Sequence, residues 1–443
     1  MDHPGPALTA RQKLPARSLP PAVRRFLDTE SAGGIALVAA ALVALVWANS
    51  PWRDTYETFW HNPVTLRVGS FGIADDLRHV VNDGLMALFF VVVALEIKRE
   101  LVTGDLRSPR VAALPAVAAL GGMVVPAAIY LAVNPSGDAS QGWGIPMATD
   151  IAFALGVLAL LGSRVPSGLK VFLLSLAIVD DIGAIVVIAV FYTDRLDATA
   201  LAVALGAVAA AVALRWARVW WHPAYVALGI VCWLATYEAG VHATLAGVAF
   251  GLLAPARPIA PVEVARRWAA DLSDEPTAGE LRQMTTLANE TVSVADRVQH
   301  NLHPLTSYVV VPIFALANAG VEVTTDAFSP SGAAGVAAGV AVGLVVGKVV
   351  GITAASALAV RLRLGSLPPG ASWSQLVGVA AVAGIGFTVS LFITGLAFDD
   401  PHLQDAARLA VLGASLVASG LGALFLLRAK GPAEPEAGTG SPS

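Results

Sequence analysis

Two adjacent carboxylates, Asp180 and Asp181, interrupt the apolar stretch LLSLAIVDDIGAIVVIAVF of a 443-residue chain. Neighbouring residues on a helix point about 100° apart. One acid can therefore face a cavity while the other faces a packed helix. Two close carboxylates in a low dielectric do not both stay ionised without a counter-cation. Carboxylate oxygens suit hard cations. A pair of this kind can hold protons or a metal ion, and the two compete for it, which is the chemistry of exchange.

Two further ionisable groups sit deep in apolar sequence. Lys348 lies 16 residues after Gly332 and 12 before Val360, too far from either end to reach an edge. It admits two readings: a fixed ion pair with an acid such as Asp180, or a lysine and carboxylate that trade protonation state as the site fills. Asp150 follows Gly144-Ile145-Pro146 and Ala148-Thr149 in GWGIPMATDIAFALG. Proline removes a backbone donor and breaks a helix at this point. A second weak stretch, AAVAGIGFTVSLFITGL, holds Gly384, Gly386, Thr388 and Ser390. Interrupted helices in two separated spans mark a midplane binding site. Half-helix ends carry opposed partial charges, so Asp150 would offset converging N-termini and Lys348 converging C-termini. Each charge at the bilayer centre costs about 2.5–3.5 kcal/mol on insertion scales, and such residues mark ion or proton paths.

The elements that must position these groups follow from composition. Charged residues make up 14% of the chain, hydrophobic residues 56%, and mean hydropathy is +0.69. Soluble proteins carry about 25% charged residues. A net charge of −4 without a basic, aromatic-rich cluster argues against nucleic-acid binding. One cysteine, Cys232, excludes a disulfide scaffold. What remains is an all-α polytopic membrane protein. Apolar segments predict twelve transmembrane helices, at 32–48, 80–97, 111–132, 144–162, 168–192, 197–214, 222–237, 241–254, 304–320, 332–360, 373–398 and 405–427, the seventh to ninth being short. With the N-terminus inside, 22 of the 28 Lys and Arg fall on the cytoplasmic side, five outside, and Lys348 within a span. That bias puts both termini in the cytoplasm. Spans 3–5 and 10–12 run in opposite senses, as inverted repeats require.

Outside the spans, the tails 1–29 and 429–443 are Pro-, Gly- and Ala-rich and are expected to be disordered around a membrane domain at 30–428. Residues 255–303 are expected as a long cytoplasmic loop with little structure. The stretch 61–74 alternates apolar and polar residues around Val68-Gly69-Ser70, as an external hairpin does; an irregular loop is the equal alternative. Glu96, Arg99 and Glu100 share one face at the inner end of span 2. They read either as an interfacial salt-bridge cluster or as the rim of a cation-attracting funnel, with His300 and His303 on the same side.

The segments NDGLMALFFVVVALEIKREL, MATDIAFALG, LAIVDDIGAI, EAGVHATLAG, VPIFALANAG, VVGKVVGI and GIGFTVSLFITGLAF occur in this order. Together they resemble the NhaA sodium/proton antiporter family over about 30–428. The resemblance implies crossed, interrupted spans 4 and 11, and electrogenic exchange with more protons entering than sodium leaving. It also implies transport of lithium, a bacterial inner-membrane location and a role in pH homeostasis and salt tolerance. It implies no cofactor and no enzymatic reaction, only the transported ions Na⁺, Li⁺ and H⁺. By the same resemblance, Asp180 and Asp181 match the cation and proton site, with transient Na⁺ on the pair. Thr149 and Asp150 match the extended stretch of span 4, and Lys348 the lysine beside the acids. Glu96, Arg99, Glu100, His300 and His303 match the pH-response region. The hairpin matches the segment that joins two protomers, which implies a homodimer; no other protein partner is evident.

The chain departs from the family in DRVQHNLHP, where Gln299 stands at a position that can hold a glutamate and Asp296 at one that can hold a lysine. This implies a shallower pH response. A sodium-coupled organic-anion symporter on a related fold is the alternative reading. An intramembrane aspartyl protease would need Gly-x-Gly-Asp and Tyr-Asp contexts, and neither surrounds Asp150 or Asp180.

Overall fold

The computed structural model describes residues 31–68, 71–193, 196–217, 219, 221–258, 260–270, 277–324, 329 and 332–429. The tail 1–29, the tail beyond 429 and the turn residues Gly69-Ser70 lie outside the described residues. The described chain is helical apart from one hairpin. In order come α1 (Ser31–Ala48), α2 (Arg53–Trp60), β1 (Pro63–Val68), β2 (Phe71–Asp76), α3 (Leu77–Val102) and α4 (Pro109–Val133). A 3₁₀ segment (Asp138–Met147) then leads into α5 (Ile151–Leu160), followed by α6 (Ser167–Phe191), α7 (Ala198–Trp216), α8 (His222–Glu238) and α9 (Thr244–Leu253). After these come α10 (Val262–Ala270), α11 (Ala278–Glu290), α12 (Val294–Leu305) and α13 (Val311–Asn318). The last four are α14 (Ala333–Arg361), α15 (Trp373–Val382), α16 (Phe387–Ala397) and α17 (Pro401–Arg428).

Among the described residues, six helices are long and apolar enough to cross a membrane, and counting each bent pair as one span gives nine. Each apolar segment read from the sequence lies largely on helix, two of them with breaks at 148–150 and 383–386. The three that fall short of a full crossing on these terms are those already short in sequence: α8 with 17 residues, α9 with 10, and α13 with 8.

Two triples of elements carry the centre of the molecule. In one, α4 and α6 flank the pair Asp138–Met147 and Ile151–Leu160, bent by 44°. In the other, α14 and α17 flank the pair Trp373–Val382 and Phe387–Ala397, bent by 48°. The triples meet along α4 and α14. Gly121 and Gly351 lie so close to each other's carbonyls that a Cβ on either would collide with backbone. Close backbone approach of this kind is how small residues pack helices in lipid, where no hydrophobic force drives association.

The stretch 255–303 is a correction. It folds into α10, α11 and α12 rather than staying a largely unstructured loop. Local signals favour this outcome: Thr277 and Glu280 form a reciprocal capping box on α11, and Ser293 caps α12 through the Asp296 amide. Ala295 and Val298 of α12 then pack with Leu95 and Val102 of α3 and with Ala256. The hairpin is present, two residues further along than read. Its strands pair antiparallel from Pro63↔Asp76 to Val68↔Phe71.

Candidate functional site

The two interruptions touch. Residues 148–150 leave helical geometry between the 3₁₀ segment and α5, and the break at 383–386 separates α15 from α16. The Asp150 amide donates to the Ile385 carbonyl at 2.6 Å, the Thr149 hydroxyl lies 2.8 Å from the Ala383 carbonyl, and Ser390 Oγ donates to the Ile145 carbonyl at 2.7 Å. Each break thus satisfies backbone groups that the other exposes, which a dry interior demands. Gly384 is pressed against the Leu344 carbonyl of α14, and Gly386 against the Ser390 side chain, so neither position has room for a Cβ.

Asp150 serves both half-helices that start at the breaks. Its Oδ1 accepts the Phe153 amide of α5 at 2.9 Å. Its Oδ2 accepts the Thr388 amide and hydroxyl of α16 at 3.0 and 2.7 Å. A carboxylate at two helix N-termini meets their positive ends.

Lys348 is fully buried and donates to Asp180 Oδ2 at 2.6 Å. It also donates to the Thr149 hydroxyl at 3.0 Å. That hydroxyl carries one proton and faces two acceptors, Asp180 Oδ2 and the Ala383 carbonyl, each at 2.8 Å. Thr149 can hand its proton to either while accepting from Lys348. The lysine therefore reaches the carbonyl end of α15 through Thr149, rather than by direct contact with helix C-termini.

Asp181, on the same turn of α6, is different. It is 6% exposed, and its carboxylate makes no hydrogen bond or ion pair among the described residues. Asp180, Glu96 and Asp150 are the acids whose fields reach it, with Lys348 as the opposing charge. Asp180 Oδ1 is likewise buried without a hydrogen-bond partner. Unsatisfied oxygen acceptors thus come from both acids, and a hard cation or a proton can take them.

The inner rim is more dispersed. Arg99 lies 3.5 Å from Glu100, and Glu100 Oε2 accepts the Asp105 amide beyond the end of α3. Glu100 thus helps to fix the turn after the helix, while Glu96 is the member of the trio whose field extends to Asp181. His300 and His303 stay on the exposed face of α12 and are not brought to the acid pair. Gln299 Oε1 is buried and unpartnered.

Sequence reasoning missed the carbonyls of Ala383, Ile385 and Ile145, because any residue type supplies one. It also missed the mutual amide pair of Asn82 and Asn318 (2.7 and 3.3 Å), which ties α3 to α13. Two isolated asparagines in apolar segments were the available signal.

The family model described as Na+/H+ antiporter 1 matches residues 24–426. The chain belongs to this antiporter family. Among curated relatives, Na(+)/H(+) antiporter NhaA 3 of Frankia alni is 49% identical over 426 residues, covering 96% of this chain and 91% of the relative. Na(+)/H(+) antiporter NhaA 2 of Sorangium cellulosum is 45% identical over 428 residues, covering 94% and 91%. Na(+)/H(+) antiporter NhaA of a Janthinobacterium species is 43% identical over 446 residues, covering 97% and 98%. Membership of the NhaA family makes this a transporter family rather than an enzyme family, and it does not favour the organic-anion symporter.

Proposed function

We propose that the chain is an electrogenic antiporter that moves Na⁺ or Li⁺ out of the cell in exchange for protons, with both cargoes competing for Asp180 and Asp181. The observation that carries this reading is the contrast within the pair. Asp180 is held by Lys348 and Thr149, whereas Asp181 beside it accepts no hydrogen bond among the described residues. A cation entering at Asp181 and Asp180 Oδ1 would replace protons there, because the acids repel one another unless neutralised. Lys348 then either keeps its pair with Asp180 or yields it as the cation arrives. More protons than cations per cycle makes the exchange electrogenic.

The same reading takes the chain as twelve spans, with spans 4 and 11 interrupted and crossed and with spans 3–5 and 10–12 as inverted repeats. The hydrogen bonds between the 148–150 and 383–386 breaks support the crossing. The excess of Lys and Arg on one side supports cytoplasmic termini in a bacterial inner membrane. Alternating access would move the crossed segments against the remaining helices. The β1–β2 hairpin is the proposed site of homodimer contact, and Glu96, Arg99, Glu100, His300 and His303 the proposed pH-response region, with a shallower response because of Gln299. Purified protein in liposomes tests the activity. An outward proton gradient should drive ²²Na⁺ uptake, and an imposed membrane potential should change its rate. Uptake indifferent to the proton gradient would refute antiport, and uptake indifferent to voltage would refute electrogenicity.

A further inference from the structure

Away from the acid pair, a cavity of about 300 Å³ opens where the ends of α3, α7 and α9 meet. Its wall is Lys98 and Val102 from α3, Arg215 from α7, and Pro255, Ala256 and Arg257 just past α9. Among the described residues, its wall carries three cations and no acid.

Cations near helix C-termini offset the negative end of the helix dipole. That accounts for Arg215, whose Nη1 donates to the Leu253 carbonyl at 2.7 Å. It does not account for Lys98 and Arg257, which make no hydrogen bond or ion pair among the described residues. Three positive charges around one cavity repel each other unless an anion sits between them. Guanidinium and ammonium donors match phosphate oxygens.

The surroundings say where such an anion would come from. Trp216 follows Arg215 directly and is 83% exposed, and Trp221 is 65% exposed. Exposed tryptophans at a helix end lie at the level of lipid headgroups. In the orientation proposed above, this is the cytoplasmic leaflet, where anionic lipids collect against basic clusters.

We propose that the cavity bounded by Lys98, Arg215 and Arg257 binds the phosphate group of an anionic phospholipid. A free phosphate ion has the same chemistry, but the flanking tryptophans and the headgroup depth favour the lipid. The site is separate from the acid pair and uses none of its residues.

The test uses the full-length protein, purified in detergent and stripped of lipid. Phosphatidylglycerol, phosphatidylcholine or inorganic phosphate is added, and the thermal unfolding midpoint is followed. Phosphatidylglycerol should raise the midpoint saturably, and the other two additions should do far less. Removing a cation near the surface weakens binding by about fivefold, so Lys98→Gln with Arg257→Gln should weaken it by about 20-fold or more. Arg361→Gln with Arg428→Gln removes as much charge elsewhere on the same side and should leave the response intact. If the first double variant is itself unstable, Arg257→Gln alone carries the comparison, with about a fivefold loss. The proposal is overturned if the cavity variants respond like the wild type, or if the control pair loses as much. It is also overturned if phosphatidylcholine or inorganic phosphate stabilises as strongly as phosphatidylglycerol.

Discussion

Two of the chain's three Asp-Asp dipeptides are held in opposite ways. Asp75-Asp76 ends strand β2 at the surface, where Asp76 lies 2.7 Å from the His61 ring and 2.8 Å from the His79 ring. Asp75 accepts the Tyr237 hydroxyl at 2.9 Å. Asp180-Asp181 sits on α6 in the interior, with a lysine on one member and, among the described residues, no bond on the other. Water screens the outer pair. Lysine inside a dry core faces a far larger cost if its partner is lost. The same dipeptide therefore fastens a turn in one place and, in the function proposed above, exchanges ions in the other. Depth and the identity of the facing cation make the difference, not the acids themselves.

The largest effect that can break this comparison lies in the buried pair. Asp180→Asn leaves Lys348 charged and unpaired, and should lower stability by about 3–5 kcal/mol. Adding Lys348→Met to Asp180→Asn should recover most of that loss without restoring transport. Thermal unfolding in detergent reads both. An Asp180→Asn protein as stable as the wild type would show that the inner pair is no more demanding than the outer one.

Asp150 gives the next effect. Asp150→Asn removes the charge from a group that accepts the Phe153 and Thr388 amides, and hydrogen bonds to charged groups are worth about 1.5–3 kcal/mol. A loss in that range, with slower transport, is expected. Unchanged unfolding would mean that the two N-termini do not depend on the charge.

The outer pair gives the smallest effect. Partial burial opposes ionisation of Asp76, but the His79 amide and the His79 and His61 rings outweigh it and hold the carboxyl below its ordinary range. A carboxyl lowered by folding contributes stability above its unfolded pKa, about 4, and that contribution is lost as pH falls through the lower folded value. Amide exchange measured in the 63–76 hairpin, and corrected for intrinsic rates, should be protected evenly from neutral pH to about 4 and less so below. Asp76→Asn should remove this acid-side dependence, and its persistence in the variant would assign it to another group.

Much of the site was legible because charge in an apolar helix is conspicuous. Asp150, Asp180, Asp181 and Lys348 stood out by type and depth, and Pro146 and Gly384 pointed to the two breaks. The contact between those breaks runs through the Ala383 and Ile385 carbonyls, which have no side-chain signature. That the two acids face different surroundings follows from their 100° separation, but which of them meets Lys348 depends on how α6 is rotated against α14. The 255–303 segment was misjudged for a different reason. Its helices are polar on one side and carry too little apolar surface to register as buried elements, yet caps at Thr277 and Ser293 and a small contact with α3 are enough to order them.

The central claim is that Asp181 receives the transported cation. In everted membrane vesicles with an imposed pH gradient, sodium or lithium should collapse the gradient across the wild-type protein. Asp181→Ala, inserted at a comparable level, should give no response to either ion. A normal sodium response from that variant would contradict the account.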